Sequence, residues 1–302
     1  MDREQWLRER MQGIGGSDAA AVLGLSKWKT PYALYLEKRG EAPASDDSEP
    51  MRWGRLLEPV VRQEYAERSG EVVRLPTEML RHARYPWMLA TVDGITDTGR
   101  LVELKTARSA EDWGEPGTDE IPQAYLIQVQ HYLEVTELEV ADVAVLIGGQ
   151  DFRQYEVEAD AELQDMIVEA EAQFWDRVQR ADPPDPVTLS DVMAKYGRAS
   201  RPGAVIATAE VAQAVAALAA VRTEKGALDE VDEQLRARIL GAFGNLDTLV
   251  DVDGQVLATW KAARPSQVID WKAIAGQLAP PQALIDQFTT EKPGTRRLLL
   301  LK

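Results

Sequence analysis

The stretch of residues 85–107 constrains the fold more than any other part of the sequence, because it predicts two β-strands joined by a tight turn. It reads YPWMLATVDGITDTGRLVELKTA. The connection at 97–99 ends in Gly99, and glycine readily takes the left-handed conformation that the third position of a three-residue hairpin loop needs. Such a loop pairs Ile95 directly with Leu101 across the two strands.

Three ionisable side chains converge on one face of this predicted hairpin. Asp93 faces Glu103 in the same register, and Lys105 shares their side because side chains alternate along a strand. Cross-strand neighbours have Cβ atoms roughly 5 Å apart. Two carboxylates that close repel each other unless a positive charge lies between them, and a divalent cation with oxygen ligands supplies one. A two-residue turn would instead place Asp93 and Glu103 on opposite faces and remove the site.

The alternative interpretation of these side chains is a surface salt bridge, which stabilises a protein by no more than ~1 kcal/mol. The hairpin, however, is rich in apolar side chains, namely Val92, Ile95, Leu101, Val102 and Leu104. Burying two acids and a lysine among such residues costs free energy. The composition of the hairpin therefore favours a functional site.

The overall composition limits the kinds of metal site and the compartment. The chain has 302 residues with 45% hydrophobic and 28% charged content, enough for one large core or two modest ones. It has no cysteine and two histidines, which excludes thiolate sites and argues against a histidine-rich centre, so a metal must rest on oxygen ligands. No apolar run is long enough to span a bilayer and the first residues are charged, which predicts a cytoplasmic protein without membrane contact.

The net charge of −16 argues against a simple nucleic-acid binder, whose surface is normally basic. The excess is confined to residues 1–189, which hold 20 basic and 37 acidic groups, whereas 190–302 hold 14 and 13. A metal-dependent phosphodiesterase tolerates such a charge when basic residues cluster locally and the metal supplies positive charge.

The order of the predicted elements indicates an α/β protein followed by a smaller module. Residues 1–182 predict a central mixed β-sheet flanked by helices, 183–203 a proline-rich linker, and 204–302 an α+β module of unassigned role. We expect that module to hold one long helix, or two helices broken near Gly226, a hairpin that turns at residues 253–254, and a final strand at 296–302.

Two helices of the first part carry further expectations. In the helix over 51–70, Trp53, Leu57, Val60 and Val61 are expected to be buried with Glu58 at the edge of that face, and Pro59 is expected to kink the helix or mark its start. The acidic loop 42–50 before it is expected to be mobile.

The segment GIGGSDAA, which contains Gly13, Gly15, Gly16 and Ser17, leaves two interpretations open. One is a flexible turn followed by a helix that Ser17 caps. The other is an anion site, in which the free backbone N–H groups of the helix start and the Ser17 hydroxyl bind a phosphate.

Several motifs together resemble the lambda-exonuclease/YqaJ-type viral recombinase family, a branch of the PD-(D/E)xK nucleases. They are Ser17 in GIGGSDAA, Glu58 in WGRLLEP, Asp93 in TVDG, Glu103 and Lys105 in VELKT, and the QVQHY helix, in matching order and spacing over roughly residues 1–180. The resemblance implies a restriction-endonuclease-like core and a Mg²⁺-dependent 5′→3′ exonuclease, with Mn²⁺ as an alternative metal, that digests one strand of double-stranded DNA from its end. It also implies a single-strand annealing partner, a trimer as one form of homo-oligomer, and a phage or prophage origin in a bacterial host.

The resemblance also assigns roles to particular residues. Asp93, Glu103 and the carbonyl of Leu104 are the implied metal ligands, with Glu58 completing the site through a water, and Val92-Asp93 stands where the family motif has Pro-Asp. Lys105 is the implied water-positioning base, and Gln128 and Tyr132 support it or the substrate, with Gln130 as a second candidate. Arg10 and Ser17 are the implied 5′-phosphate ligands, and Thr91 adds a phosphate contact.

Three other functions remain as alternatives. One is an endonuclease or RecB-like nuclease on the same fold, which would not need a DNA end. The second is a DNA-binding or assembly protein without catalysis, against which the complete set of acids and lysine argues. The third is a scaffold assembled through the alanine-rich helix of the C-terminal module.

Overall fold

The computed structural model describes residues 3–42, 48–198, 200–291, 294–296 and 298–300. The chain divides into two compact units, Met1–Lys195 and Tyr196–Lys302. The helices of the first unit are α1 (Arg3–Arg10), α2 (Gly16–Val22), α3 (Pro31–Lys38), α4 (Glu49–Ser69), α5 (Gln123–Thr136), α6 (Ala161–Arg180) and α7 (Leu189–Tyr196), which crosses the division. Its strands are β1 (Ile14–Gly15), β2 (Val73–Arg74), β3 (Leu80–Arg81), β4 (Met88–Ala90), β5 (Gly94–Thr96), β6 (Leu101–Ala107), β7 (Val140–Ile147) and β8 (Asp151–Glu158).

The main sheet of the first unit is mixed, as the sequence predicts. Its strand order is β2-β5-β6-β7-β8, with β6 and β7 parallel and the other pairs antiparallel. Helix α5 connects the parallel pair, because parallel neighbours need a long crossover. The other three strands of the first unit form a smaller sheet in the order β1-β4-β3.

Helices cover both faces of the central strands. On one face, Val129 and Leu133 of α5 pack in one cluster with Leu101 and Val143. On the other, Val61 and Tyr65 of α4 pack with three further strand residues, Val102, Leu104 and Ala144. The middle of β6 is therefore buried from both sides, as is usual for parallel strands.

The turn of the predicted hairpin is confirmed. Thr96 donates its N–H to the Arg100 carbonyl at 2.9 Å, and Gly99 adopts the left-handed conformation with φ of 85°. Ile95 pairs with Leu101 as expected.

The prediction of one continuous first strand is wrong, because the chain breaks at residues 91–93. The part before the break, β4, belongs to the small sheet, whereas β5 belongs to the main sheet. Gly94 allows β5 to lie close to β2, since a Cβ at this position would come within 2.2 Å of the Val73 side chain. The break leaves Asp93 at the junction of the two sheets.

Helix α4 turns a different face inward from the one predicted. Val61 and Tyr65 are buried, but Trp53 and Val60 are 52% and 57% exposed. The face of α4 that points inward is therefore formed by positions 54, 58, 61 and 65, and Glu58 lies on this face rather than at its edge. The helix continues through Pro59, which does not mark its start. Of the acidic loop expected at 42–50, residues 43–47 lie outside the described part.

The glycines before α2 allow close packing, and the prediction that Ser17 caps the helix is wrong. Helix α2 begins at Gly16 with Gly15 as its N-cap, so Ser17 lies in the first turn. A Cβ on Gly16 would lie 2.4 Å from the ring of Tyr132, and one on Gly13 would lie 2.1 Å from the Trp87 carbonyl oxygen.

The segment predicted as a linker, 183–203, is partly folded onto the first unit. Helix α7 occupies Leu189–Tyr196, and its Asp191 accepts hydrogen bonds from the Thr30 hydroxyl at 2.8 Å and the Val187 N–H at 3.1 Å. The first half of this segment therefore belongs to the first unit.

The second unit contains the predicted long helix and hairpin. Its elements are α8 (Ala209–Phe243), β9 (Thr248–Val250), β10 (Val256–Thr259), α9 (Trp271–Leu278) and α10 (Gln282–Phe288). Helix α8 is continuous through Gly226, which excludes the two-helix alternative. Helix α10 was not expected. The final strand expected at 296–302 is absent from 294–296 and 298–300, and its other residues lie outside the described part.

Candidate active site

The three residues predicted from the hairpin meet just before the start of β5 and at the middle of β6. The Lys105 ammonium donates to Glu103 Oε1 at 2.5 Å. The Asp93 carboxylate accepts a hydrogen bond from the Leu104 N–H on Oδ2 at 2.8 Å. The geometry therefore places both carboxylates and the lysine around one point of the sheet.

The strand break explains how Asp93 reaches this point. Residues 94 and 102 are paired, so a continued ladder would bring Val92 opposite Leu104 as the next hydrogen-bonded pair. The chain leaves the ladder there, and the Asp93 carboxylate takes the Leu104 N–H instead. Because the N–H and C=O of one strand residue point to the same edge, the Leu104 carbonyl lies on the Asp93 side of β6.

Helix α5 supplies two more members of the cluster. Gln128 accepts from Lys105 Nζ at 3.0 Å and donates to Glu103 Oε1 at 2.7 Å. Its amide also contacts the Tyr132 hydroxyl at 3.3 Å, one helical turn further along. The ring of Tyr125, on the same helix, lies 4.6 Å from Lys105 Nζ. The structure thus brings together Lys105, Gln128 and Tyr132 as predicted.

The charged groups of the cluster shift one another's pKa values. Burial raises the pKa of Asp93, and the nearby Glu103 carboxylate raises this pKa further, to well above its ordinary value. Burial alone would lower the pKa of Lys105, but Glu103 and Asp93 outweigh burial and raise that pKa, so the ammonium stays charged. One ammonium therefore faces two carboxylates in a partly buried place.

Within the described part of the chain, one carboxylate oxygen of Glu103 has no hydrogen-bond partner. Glu103 is 2% exposed, and its Oε2 atom is buried without a hydrogen-bond partner among the residues that the structure describes. Such an atom normally costs free energy, which marks it as a position for a ligand.

Glu58 reaches the edge of the site but does not complete a three-acid cluster. It forms a close ion pair with Arg62 one turn along α4, and Arg62 donates to the Asp93 carbonyl at 3.2 Å. Within the described residues, no three His, Cys, Asp or Glu side chains come together in a group that could hold a metal. Among the described residues, Asp93 and Glu103 are the acids placed to act as direct ligands, and the water-mediated role of Glu58 stays a prediction.

The cluster lies in an open cleft of about 800 Å³. Glu58, Asp93, Glu103, Leu104, Lys105, Gln128 and Tyr132 all line it, together with Ser17 and Thr91. A small pocket of about 30 Å³ adjoins the cleft, because Ser17, Thr91 and Tyr132 line both, and Arg10 lies in its wall. The predicted phosphate ligands and the predicted metal ligands are therefore neighbours.

A buried ion-pair network holds Arg10 in place, and sequence reasoning missed it. Asp18 accepts from Arg10 Nη2 at 2.6 Å and from Lys38 Nζ at 2.7 Å, and Arg10 Nη2 also contacts the Ser17 hydroxyl at 3.3 Å. Burial alone would raise the pKa of Asp18, but Lys38, Arg10 and Lys29 together hold this pKa below its ordinary value. A lysine at position 38, on a helix with a polar outer face, gave no signal that it is buried.

Gln130 does not belong to the site. Its amide donates to the Glu158 carbonyl at 2.7 Å and accepts from the Asp160 N–H at 3.0 Å, which joins α5 to the chain between β8 and α6. His131 is also structural, since its two ring nitrogens contact Glu171 Oε1 at 2.8 Å and the Leu89 carbonyl at 2.9 Å.

Fold and site together define an α/β protein with two carboxylates and one lysine at the floor of a cleft beside a mixed sheet. Residues 5–139 match the family model of the YqaJ-like viral recombinase domain. The predicted resemblance to that family is therefore confirmed over this segment.

Two curated proteins are also similar to this chain. The chain is 48% identical over 181 residues to the uncharacterized protein YqaJ of Bacillus subtilis (strain 168), which is 58% of this chain and 56% of that protein. It is 25% identical over 152 residues to the uncharacterized protein R354 of Acanthamoeba polyphaga mimivirus, 46% of this chain and 28% of that protein. The chain thus spans about half, or less, of the curated relatives it matches.

The solved structures to which the chain is similar include an alkaline exonuclease (LHK-Exo) from Laribacter hongkongensis. It shares 19% identity with a TM-score of 0.49, over 59% of this chain and 94% of the other. A phage-related exonuclease from Haemophilus somnus 129PT shares 16% identity with a TM-score of 0.44, over 56% and 96%. No helix in the described ranges is both long and apolar enough to cross a membrane.

Proposed function

We propose that this protein is a divalent-cation-dependent nuclease that digests one strand of linear double-stranded DNA in the 5′→3′ direction. The observation that carries the proposal is the pairing of Asp93 and Glu103 beside Lys105 at the floor of an open cleft, with Glu103 Oε2 buried and unsatisfied among the described residues. The YqaJ-like viral recombinase domain supports the same activity.

Mg²⁺ or Mn²⁺ fits the donors at the cleft floor. These donors are oxygens, supplied by Asp93, Glu103 and the Leu104 carbonyl, which hard divalent cations prefer. A cation would satisfy the unpartnered Glu103 oxygen and offset the repulsion that raises the pKa of Asp93. When bound, it supplies positive charge beside the scissile phosphate and lowers the pKa of a coordinated water.

Lys105 and α5 orient the reacting groups. An ammonium has three donors, of which Glu103 and Gln128 engage two, and we assign the third to the attacking water or a phosphoryl oxygen. Gln128 fixes the position of both Lys105 and Glu103, and Tyr132 contacts Gln128 from the next turn. Glu58 and Arg62 brace the Asp93 backbone from α4.

The small pocket beside the cleft supports recognition of a 5′-phosphate. Arg10 and Ser17 both line this pocket, and Arg10 Nη2 lies 3.3 Å from the Ser17 hydroxyl. Thr91 also lines the pocket, and its hydroxyl accepts a hydrogen bond from the Trp6 indole N–H at 3.2 Å. A phosphate held there would place the next phosphodiester near Lys105. Anchoring of the terminal phosphate gives the reaction its polarity.

Wider properties follow from the family assignment as further proposals. We propose a restriction-endonuclease-like core for residues 1–182, a role in phage-type recombination beside a single-strand annealing protein, assembly as a homo-oligomer such as a trimer, and action in the cytoplasm of a bacterial host.

The function is tested with end-labelled linear duplex DNA and Mg²⁺. The protein is expected to release nucleotides from 5′-phosphorylated ends, and Lys105→Ala is expected to reduce the rate by about 10²–10⁴-fold, the range typical of a group that assists proton transfer. Lys272→Ala, in the second unit, is the control and keeps the rate. Equal digestion by Lys105→Ala would remove Lys105 from its role, and cleavage of closed circular DNA would favour an endonuclease instead.

The phosphate pocket is tested through the preference for phosphorylated ends. Ser17→Ala is expected to lower the preference for a 5′-phosphate over a 5′-hydroxyl end by roughly 10- to 100-fold, because a hydrogen bond to a charged group contributes ~1.5–3 kcal/mol. Digestion rates on the two matched substrates measure this ratio, and Ser190→Ala provides the control. An unchanged ratio would place the 5′-phosphate elsewhere.

A further inference from the structure

Trp28 stands at the rim of the cleft with its side chain facing solvent. It is 76% exposed, more than any other large apolar side chain among the described residues up to position 180. Single exposed apolar residues are common on protein surfaces and need no function. The position of Trp28 beside the candidate active site is what distinguishes it.

Trp28 lies where two cavities join. The cleft that holds Lys105 and a second cavity of about 700 Å³ share four lining residues, namely Trp28, Pro50, Thr106 and Tyr125. Tyr125 in turn lies 4.6 Å from Lys105 Nζ. The indole therefore borders the same continuous groove as the two carboxylates.

The turn that carries Trp28 is held firmly. The Ser26 hydroxyl accepts the N–H groups of both Trp28 and Lys29 at 3.2 Å. Lys27 bonds to Asp112 at 2.8 Å in an exposed ion pair, and Lys29 forms a close, partly buried ion pair with Glu37. The indole is thus presented on a backbone with little freedom to lose on binding, which favours affinity.

The surroundings fit a nucleotide better than an apolar ligand. Met51, 60% exposed, adds a second apolar side chain to the cleft wall. Arg55 in the cleft and Arg108 in the second cavity are basic, and they lie among acids that include Glu58 in the cleft and Glu111 in the second cavity. Flat apolar surface for bases next to cations for phosphates is the combination that binds single strands of nucleic acid.

We propose that Trp28 stacks on a nucleobase near the DNA end and holds the strand that enters the cleft. This inference rests on the proposed function, since the base belongs to the nuclease substrate. It adds a base-binding position outside the carboxylate cluster and the phosphate pocket. Stacking on any base is sequence-tolerant, so Trp28 strengthens binding without selecting a sequence.

The experiment measures binding without divalent cation, so that no digestion interferes. A fluorescein-labelled linear duplex with a 5′-phosphate is titrated with the wild-type chain, Trp28→Ala and Trp28→Phe, with Trp271→Ala as the matched control on an exposed tryptophan of the second unit. The same titrations use duplexes in which the terminal four nucleotides of one strand, or of the other, lack their bases.

Trp28→Ala is expected to weaken binding of the intact duplex by roughly 5- to 150-fold, the equivalent of ~1–3 kcal/mol per stacked base. Trp28→Phe keeps most of the affinity because it retains a flat aromatic face, and Trp271→Ala keeps all of it. On one of the base-free duplexes, wild type and Trp28→Ala should bind equally, since the stacking partner is gone.

Two results would overturn the inference. Equal binding of the intact duplex by wild type and Trp28→Ala is one, and an undiminished Trp28→Ala effect on both base-free duplexes is the other. Digestion of linear duplex by the wild type with Mg²⁺ is scored separately. Digestion without a Trp28 effect removes only this inference, whereas the absence of both binding and digestion removes the proposed function as well.

Discussion

Replacing Glu103 with glutamine is expected to reduce DNA digestion by about 10³-fold or more. The change removes one of two carboxylates that hold the proposed cation, and a catalytic cation contributes several kcal/mol, with each 1.36 kcal/mol equal to tenfold in rate. Glutamine keeps the size of the side chain and can still bond to Lys105 and Gln128. The initial rate on end-labelled linear duplex with Mg²⁺ measures the loss, and Glu139→Gln, at an exposed position outside the cleft, serves as the control.

Unfolding of the metal-free chain separates loss of chemistry from loss of fold. Because the folded-state pKa of Asp93 is raised, the charged carboxylate opposes folding once the pH exceeds its unfolded value of 3.8. Asp93→Asn and Glu103→Gln should therefore unfold at a temperature equal to or above that of the wild type at neutral pH.

Added Mg²⁺ should raise the unfolding temperature of the wild type and leave both variants unchanged, because a ligand stabilises only the state that binds it. A variant that unfolds at a lower temperature than the wild type, or one that Mg²⁺ still stabilises fully, would contradict the assignment of these two carboxylates.

The candidate site could be predicted from sequence where the geometry is local. The side-chain alternation of a strand places Glu103 and Lys105 on one face, and the loop ending at Gly99 fixes the register that brings Asp93 to them. The i,i+4 spacing similarly places Gln128 and Tyr132 on one face of α5. These relations need no knowledge of distant elements.

The predictions that failed depend on contacts between distant parts of the chain. The break in the first strand arises because β4 and β5 join different sheets and Asp93 captures the Leu104 N–H. The periodicity of α4 could not show which of its faces meets the sheet. The periodicity of α5 likewise could not show that Gln130 points away from the cleft, toward Glu158 and Asp160. Helical spacing fixes neighbours on a helix but not the direction in which they point.

The two halves of the site differ in how they are held, which bears on how each would respond to mutation. The metal-binding half contains like charges in contact and an unsatisfied oxygen, so it is under electrostatic stress without a ligand. The phosphate-binding half is built on the Asp18 carboxylate, which accepts from Arg10 and Lys38, although Arg10 Nε is also buried without a hydrogen-bond partner among the described residues. Substitution of the two metal-binding carboxylates is expected to lower activity, whereas substitution within the buried Asp18 network is expected to lower stability.

Replacing Lys38 with methionine is the clearest case of the second kind and is expected to lower the free energy of unfolding by about 3–5 kcal/mol. The Lys38 and Asp18 side chains are fully buried, and removing Lys38 takes away one of the two cations that bond to the Asp18 carboxylate. Lys29→Met is the matched control, because Lys29 is 31% exposed and 3.9 Å from Asp18, and should cost less than ~1 kcal/mol. Urea unfolding at pH 7 measures the free energy of unfolding of both variants. Equal losses in the two variants would show that the buried Lys38–Asp18 contact contributes no more to stability than the partly exposed Lys29 contact does.

The Lys38–Asp18 contact also predicts a pH dependence. Asp18 contributes stability above its unfolded pKa of 3.8, and this stability is lost only as the pH falls through its lower folded-state pKa. Loss of Lys38 should therefore move acid unfolding to higher pH.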